Sequence, residues 1–293
     1  MTTKRKIAVI GGNGQLGSDV MEAFAGHGSA YSLTHQDLEV SSLDSVAACL
    51  RTLQPDVVVN TAAMHHVENC EREPDRAYAV NAVGARNLAA VAQDLGAVFI
   101  HVSTDYVFDG NRATPYAEDD LPLPLSVYGN SKLAGEYFVR TLNEKHIVLR
   151  TSALYGRRPC RAKGGSNFVD LMLRLGRERG EVRVVASENI TPTSTRELAR
   201  QIVALSGAGA YGLFHATAEG SCSWHEFACE IFAVAGVPAR CLVAGPNEFL
   251  AKVPRPEYSV LENARLKHAG LNQFRDWREG LRAYLEQACI AVA

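Results

Sequence analysis

The chain lacks several features that would each have pointed to a particular class of protein. No apolar run approaches the ~20 residues that cross a bilayer. Lys4-Arg5-Lys6 followed by Ile7-Ala8-Val9-Ile10 has the order of a signal peptide, but the run stops at Gly11-Gly12 and is too short for one. No sign of charge prevails: 30 basic and 32 acidic residues leave a net charge of −2. That balance gives no electrostatic reason to expect nucleic acid or an anionic membrane as partner. The seven cysteines (Cys49, Cys70, Cys160, Cys222, Cys229, Cys241, Cys289) include no CxxC pair and no metal-ligand spacing. They read as scattered free thiols of a reducing, cytoplasmic chain, with no metal expected. There is no internal repeat and no low-complexity tract.

What is present is an alternation of strand-like and helix-like segments. Residues 7–10 form a short apolar run ending at glycines, as in a buried parallel strand, and residues 18–25 carry one apolar face, as in the helix that follows. A second strand is expected over 31–33, a helix over 45–53 and a β-branched strand over 56–60 (DVVVN). A long helix follows over 74–93, a strand over 97–103, a helix over 127–142 and a strand over 147–150. Such an order implies an α/β fold with a doubly wound parallel sheet. Beyond Ser152 the regularity weakens, and Pro/Gly punctuation at 236–238, 245–246 and 254–256 suggests a smaller lobe. The expected division is a dinucleotide-binding Rossmann domain over 1–152 and a mainly substrate-binding α/β lobe over 153–293, some of whose segments return to the sheet.

Two motifs carry chemistry. Gly11, Gly14 and Gly17 fall in a GxxGxxG pattern between strand and helix. Glycine allows the tight turn and close approach of backbone to a pyrophosphate, which the free N–H groups of the helix start would bind. The second strand ends at Thr34-His35 with no acid there, while Asp37 and Glu39 come later. An acid at that position selects NAD by binding the ribose hydroxyls, so its absence favours NADPH, with NADH tolerated and His35 placed to accept a 2′-phosphate. The second motif is Tyr128-Gly129-Asn130-Ser131-Lys132, which sets Tyr128 and Lys132 one helical turn apart. An ammonium beside a phenol stabilises the phenolate and makes a proton relay to a carbonyl oxygen. The motif opens the helix after the strand ending Ser103-Thr104-Asp105, so the Thr104 hydroxyl can reach the same oxygen.

Further blocks extend the pattern along nearly the whole chain: QPDVVVNTAA (54–63), EREPDRAYAVNAVGARNLA (71–89), HVSTDYVFDG (101–110), PLSVYGNSKLAGE (124–136), RTSALYG (150–156), SNFV (166–169), TPTSTRELA (191–199), SWHEFA (223–228) and RPEYSVL (255–261). With GGNGQLG (11–17) they resemble the extended short-chain dehydrogenases, and among them the dTDP-4-dehydrorhamnose reductases. The resemblance implies a nicotinamide-dependent reduction of a keto group on a nucleotide-linked sugar, in a soluble enzyme whose candidate assembly is a homodimer. It implies Thr104, Tyr128 and Lys132 as the catalytic set. Gly11, Gly14, Gln15, Leu16 and Gly17 would form the pyrophosphate loop. Thr34, His35, Glu39 and Val40 would lie along the adenosine half, and Ala62, Ala63 and His65 would line the cofactor, with Asn81 bracing them. Thr104, Asp105, Ala153 and Arg255 would face the sugar nucleotide, Arg255 on a phosphate.

The chain departs from the family pattern at Thr61, Met64, His65, His66 and Glu68, at Ala153, where the family has a tryptophan against the sugar, and at Asn189-Ile190. Losing the tryptophan removes contact worth about 1–3 kcal/mol. Two other readings share the scaffold. One is a sugar-nucleotide epimerase or dehydratase; Tyr106 stands where dehydratases place an acid. The other is a non-catalytic NADP-binding subunit like that of methionine adenosyltransferase. His65-His66 has no third metal ligand near in sequence. Arg157, Arg158, Arg161 and Lys163 suit either a phosphate or solvent, and Trp224 and Trp277 suit packing.

Overall fold

The structure is a computed structural model that describes residues 4–159, 165–245, 248 and 253–290. Cys160, Arg161 and Lys163 lie outside the described residues, as does the side chain of Cys289. The first half runs β1 (Lys6–Ile10), α1 (Gln15–Ala23), β2 (Ser29–Leu33), α2 (Leu43–Leu53), β3 (Val57–Asn60), α3 (Val67–Arg72), α4 (Pro74–Tyr78), a π turn (Ala79–Val83), α5 (Gly84–Asp94), β4 (Val98–Thr104), a 3-10 turn (Asp105–Val107), α6 (Val127–Leu142) and β5 (His146–Thr151). The second half runs β6 (Leu154–Tyr155), α7 (Phe168–Arg179), β7 (Glu181–Val184), β8 (Asn189–Ile190), β9 (Thr193–Ser194), α8 (Thr195–Ala208), β10 (Gly212–His215), β11 (Cys222–Ser223), α9 (Trp224–Ala235), β12 (Arg240–Val243), α10 (Ala264–His268) and α11 (Trp277–Ile290).

Six strands form one parallel sheet in the order β10-β5-β4-β3-β1-β2. The fold is thus the α/β, Rossmann-like parallel sheet that the strand-helix alternation implies. Its sixth strand comes from late in the chain, at residues 212–215. Strand order reverses between β1 and β3, and in open α/β sheets the crevice at such a switch point takes the ligand.

The β-branched strands are buried on both faces because helices cover both. Ile7, Val9, Val57, Val59, Ile100, Ile147 and Leu149 pack against Leu16 and Val20 of α1 and Leu198 and Ile202 of α8. The alternate residues Ala8, Ile10, Val58, Phe99 and Val148 pack on the other side against Val46, Leu50, Leu88 and Val139. This two-sided burial explains why the sequence shows continuous apolar runs rather than alternation. A third cluster, with Val169, Met172, Val182, Val184, Phe227, Ile231, Trp277 and Leu281, unites α7, α9 and α11 with the parallel pair β7–β12. Among the described residues no helix is long and apolar enough to cross a membrane.

Candidate active site

The loop after β1 is shaped by what its glycines must avoid. Gly11 adopts φ +75°, and a Cβ on Gly17 would lie 2.2 Å from the Gly11 carbonyl oxygen. The loop therefore folds tightly, with the Gly14 N–H on the Gly11 carbonyl at 2.8 Å. Gly14 caps α1 without any side-chain hydrogen bond. The first N–H groups of α1 are thus left for a ligand, and they carry the positive end of the helix dipole. The sequence places a pyrophosphate at this point, and the chain offers it backbone donors and no competing cap. Gln15 turns away from the loop: its Nε2 donates to the carbonyls of Gly156 (3.3 Å) and Arg158 (3.0 Å), tying α1 to the segment after β6. Leu16 is a core residue.

The end of β2 holds a carboxylate that the linear sequence puts three residues too late. Asp37 folds back, and its Oδ2 accepts from the backbone N–H (2.7 Å) and the hydroxyl (2.8 Å) of Thr34. These hydrogen bonds hold its carboxyl below the usual range. His35 is exposed beside it. Glu39 is drawn instead to Ser41, accepting from its N–H and hydroxyl. Val40 is buried, and a Cβ on Gly84 would come within 2.8 Å of its Cγ2.

Past β3, Thr61 Oγ1 donates to the Ile10 carbonyl at 2.8 Å and closes the switch point. Ala62, Ala63 and His65 follow along its rim, all half-buried. Asn81 sits in the π turn, a local insertion common at functional sites. Its Oδ1 accepts from the Met64 N–H, and its Nδ2 donates to the Met64 carbonyl and to Ser131 of α6. Asn81 thus links the β3 loop to α6.

Thr104 ends β4, and its hydroxyl donates to Asp105 Oδ1 at 2.9 Å. Asp105 is buried, with Oδ2 accepting from Ser152 at 2.8 Å, and burial raises its carboxyl despite these bonds. Ser126 caps α6 and so fixes the start of the helix, which places Tyr128 in its first turn. The Tyr128 side chain lies beside that of Thr104, and its ring meets Tyr106 edge-on at 5.9 Å. Burial pushes its phenol well above the ordinary value, with Thr104 opposing. The sequence reading assigned Lys132 the lowering of this pKa; in the structure the amine is engaged elsewhere.

Lys132 is buried, and its Nζ donates to the Val102 carbonyl at 2.7 Å and lies 3.3 Å from His101 Nε2. His101 stands opposite Asn60 in the β3–β4 register. The Ala62 N–H occupies Asn60 Oδ1, so Asn60 Nδ2 donates to His101 Nδ1 at 3.0 Å. Burial keeps His101 neutral. Its one proton is therefore on Nε2, directed at the lysine. Two donors cannot face each other, so this arrangement favours the neutral amine. Burial independently lowers Lys132 to about 8, with the Glu136 carboxylate opposing.

Glu136 pairs with Arg150 through three contacts, Nε–Oε1 at 3.0 Å, Nε–Oε2 at 3.2 Å and Nη2–Oε2 at 2.7 Å, and Ser103 donates to it at 2.5 Å. The side chains of Arg150 and Glu136 are only 2% and 1% exposed, which makes this a buried ion pair beneath the site.

The facing wall is built from both halves of the chain. Arg255 is not a free surface residue: its Nη2 pairs with Glu68 Oε1 at 2.6 Å, and Glu68 also meets His66 at 3.3 Å. Arg255 also lies near Tyr106 and Glu188, and Trp224 Nε1 donates to Glu188 at 3.1 Å. The sequence reading marked Glu68 only as a departure and missed Tyr106 and Glu188 as wall residues. Nothing local in sequence links positions 68, 106, 188 and 255. Ala153 has φ +42°, a left-handed conformation uncommon for a non-glycine residue.

A family model described as the RmlD substrate binding domain matches residues 5–290. The chain belongs to this family. Among its relatives, the spore coat polysaccharide biosynthesis protein SpsK of Bacillus subtilis is 38% identical, over 98% of this chain and 99% of that protein. A dTDP-4-dehydrorhamnose reductase of Sinorhizobium fredii is 35% identical, over 94% and 95% of the two chains. The crystal structure of the Bacillus anthracis dTDP-4-dehydrorhamnose reductase in complex with NADP superposes with a TM-score of 0.93 at 37% identity, covering 97% of this chain and all (100%) of that one. Membership in the RmlD family agrees with the resemblance drawn from the motif blocks, and the match spans both the glycine loop after β1 and the region around Arg255.

Proposed function

We propose that this chain is an NADPH-dependent reductase of a nucleotide-linked 4-keto-6-deoxysugar, converting dTDP-4-dehydrorhamnose to dTDP-rhamnose. The observation that carries this reading is the meeting of the Thr104 and Tyr128 side chains at the carboxyl end of β4, with Lys132 one turn along α6. The Sinorhizobium and Bacillus anthracis relatives bear the name of that reductase, and the latter was crystallised with NADP.

The N–H groups of residues 15–17 would hold the pyrophosphate. Thr34 and His35 would hold the adenosine ribose; the NADP-bound relative favours NADPH, while Asp37, its carboxylate taken up by Thr34, leaves NADH accepted as well, and Glu39, Val40, Ala62, Ala63 and His65 would flank the rest of the cofactor. Bound there, the dihydronicotinamide supplies a hydride to the keto carbon. Tyr128, kept protonated by burial, donates its proton to the oxygen that becomes the alcohol. Thr104 turns its hydroxyl from Asp105 to the same oxygen and stabilises the charge developing on it. Lys132, its Nζ held on the Val102 carbonyl, would hold the nicotinamide ribose. Arg255, held by Glu68, presents its guanidinium to the diphosphate, and the small Ala153 leaves room beside the sugar. Residues 1–152 would thus carry the cofactor and residues 153–293 mainly the sugar nucleotide, in the cytoplasm, where the free thiols stay reduced.

The test is NADPH oxidation with dTDP-4-dehydro-6-deoxy-L-mannose, beside a Tyr128→Phe variant. Turnover should fall by about 10²–10⁴-fold in the variant, with NADPH binding retained. Absence of turnover in the wild-type chain despite tight NADPH binding would overturn the proposal.

A further inference from the structure

The cysteines, scattered in sequence, are not all scattered in space. His225 and Cys229 lie one turn apart on α9, and Cys241 lies on β12, which α9 packs against. One ligand atom from each, the two thiols and an imidazole nitrogen, all fall within 4.8 Å of one another, and all three residues are half-buried. We infer that His225, Cys229 and Cys241 form a binding site for a thiophilic divalent cation of the zinc class.

Three features of the geometry support a metal over a chance cluster. The first is ligand spacing. Zn–S and Zn–N bonds of about 2.3 and 2.0–2.1 Å at tetrahedral angles put neighbouring ligand atoms roughly 3.5–3.8 Å apart. The Cys229 sulfur lies 4.0 Å from His225 Nδ1, a few tenths of an ångström outside that range, so a small side-chain rotation closes the set.

The second is the tautomer. His225 Nε2 lies 3.3 Å from the Cys241 carbonyl oxygen, which can only accept. Nε2 therefore carries the ring proton, and Nδ1 is the nitrogen left to ligate. A ligating histidine usually donates its other N–H to a carbonyl or carboxylate, which fixes the ring and raises its basicity. That second partner is already in place.

The third is donor chemistry. Two thiolates and a neutral imidazole balance the charge of a divalent ion, and thiolate with imidazole suits zinc rather than magnesium or calcium. Binding releases one proton from each thiol and leaves the ion a fourth position for water. The ion would join α9 to the β7–β12 pair, and α9 begins at Trp224 on the substrate wall.

The sequence reading found no metal spacing because the separation from Cys229 to Cys241 matches no common pattern. The strand pairing of Arg240–Val243 with Glu181–Val184 brings the second thiol back to the helix.

The experiment titrates reduced, metal-free full-length protein with Co(II) and then Zn(II), beside Cys229→Ser/Cys241→Ser and His225→Asn variants. The wild-type chain should take up Co(II) with thiolate-to-cobalt charge-transfer and tetrahedral d–d bands, and Zn(II) should bleach both. Zn(II) should also raise the wild-type melting temperature and release protons. The double variant should show neither the bands nor the shift, and His225→Asn should bind at least about ten-fold more weakly. Identical melting of the metal-free wild type and variants would establish that the variants are folded. Bands that persist in the double variant would place the metal on other cysteines and overturn the inference. So would the absence of bands in the wild type, or loss of the two thiols to a disulfide without uptake of metal.

Discussion

Glu136→Gln tests how the buried pair under the active site is held. The substitution keeps the size of the side chain and removes its charge. Arg150 then remains buried with its guanidinium uncompensated, its Nη1 already without a partner and its plane 5.1 Å from the Phe108 ring. Removing one member of such a pair costs about 3–5 kcal/mol. At about 2–4 °C per kcal/mol for a chain approaching this size, the melting temperature should fall by roughly 6–20 °C, and the urea midpoint should fall with an unchanged slope. Replacing both partners, as Glu136→Leu with Arg150→Met, should recover most of the loss, because the pair's attraction is largely spent on its own desolvation. A second readout separates this from simple damage. Glu136 is the charge that supports the Lys132 ammonium. Without it the lysine loses its proton more readily, so the alkaline limb of kcat/KM should move to lower pH in Glu136→Gln. A loss under about 1 kcal/mol, the range of exposed pairs, would show that the guanidinium is hydrated and would refute the reasoning.

Three other outcomes are expected. Burial lowers the folded pKa of Lys132 to about 8, below its ordinary 10.5, so the ammonium costs the fold stability below pH 8 and that cost disappears as pH rises through the window to 10.5. Denaturant titrations should show wild-type stability gaining about 3 kcal/mol across that window relative to Lys132→Met; parallel curves would mean that the amine is not desolvated. Gly17→Ala should weaken NADPH binding about 100-fold, the scale of losing about 3 kcal/mol of hydrogen bonds to phosphate, because its Cβ would strike the Gly11 carbonyl. Calorimetry showing wild-type affinity would mean that the loop yields freely. Ala153→Gly should stabilise the chain by about 0.5–1 kcal/mol by relieving the left-handed backbone, and a lower melting temperature would count against strain there.

Much of the sheet could be read from the sequence because its signal is local. DVVVN, AVFIHVS and the run at 7–10 are buried on both faces, so burial and β-branching coincide, and each expected strand falls within a residue or two of the observed one. The long helix over 74–93 is found as α4, a π turn and α5, the turn carrying Asn81 toward Met64 and Ser131. The sixth strand, GLFH, is too short to stand out, and only its pairing with β5 makes it a strand. In the site, the glycine loop, Thr104 and the Tyr128/Lys132 pair follow from spacing. The His101–Asn60 contact that sets the lysine's surroundings depends on the β3–β4 register, and the Arg255–Glu68 pair spans most of the chain. Asp37 shows the same limit at short range: a turn returns its carboxylate to the end of β2, where linear counting finds none.

The late origin of β10 bears on how the protein is made. During synthesis β1 to β5 leave the ribosome first, and Gly212–His215 follow about sixty residues later, roughly 3–12 s at ordinary elongation rates. Throughout that interval β5, an apolar strand, has an unpaired edge of the kind that recruits other strands. The nascent chain therefore passes through a stage in which the half with the cofactor loop is complete yet adhesive. Fragments ending between residues 152 and 211 should depend on chaperones and aggregate, whereas fragments that include residue 215 should not stick through this edge.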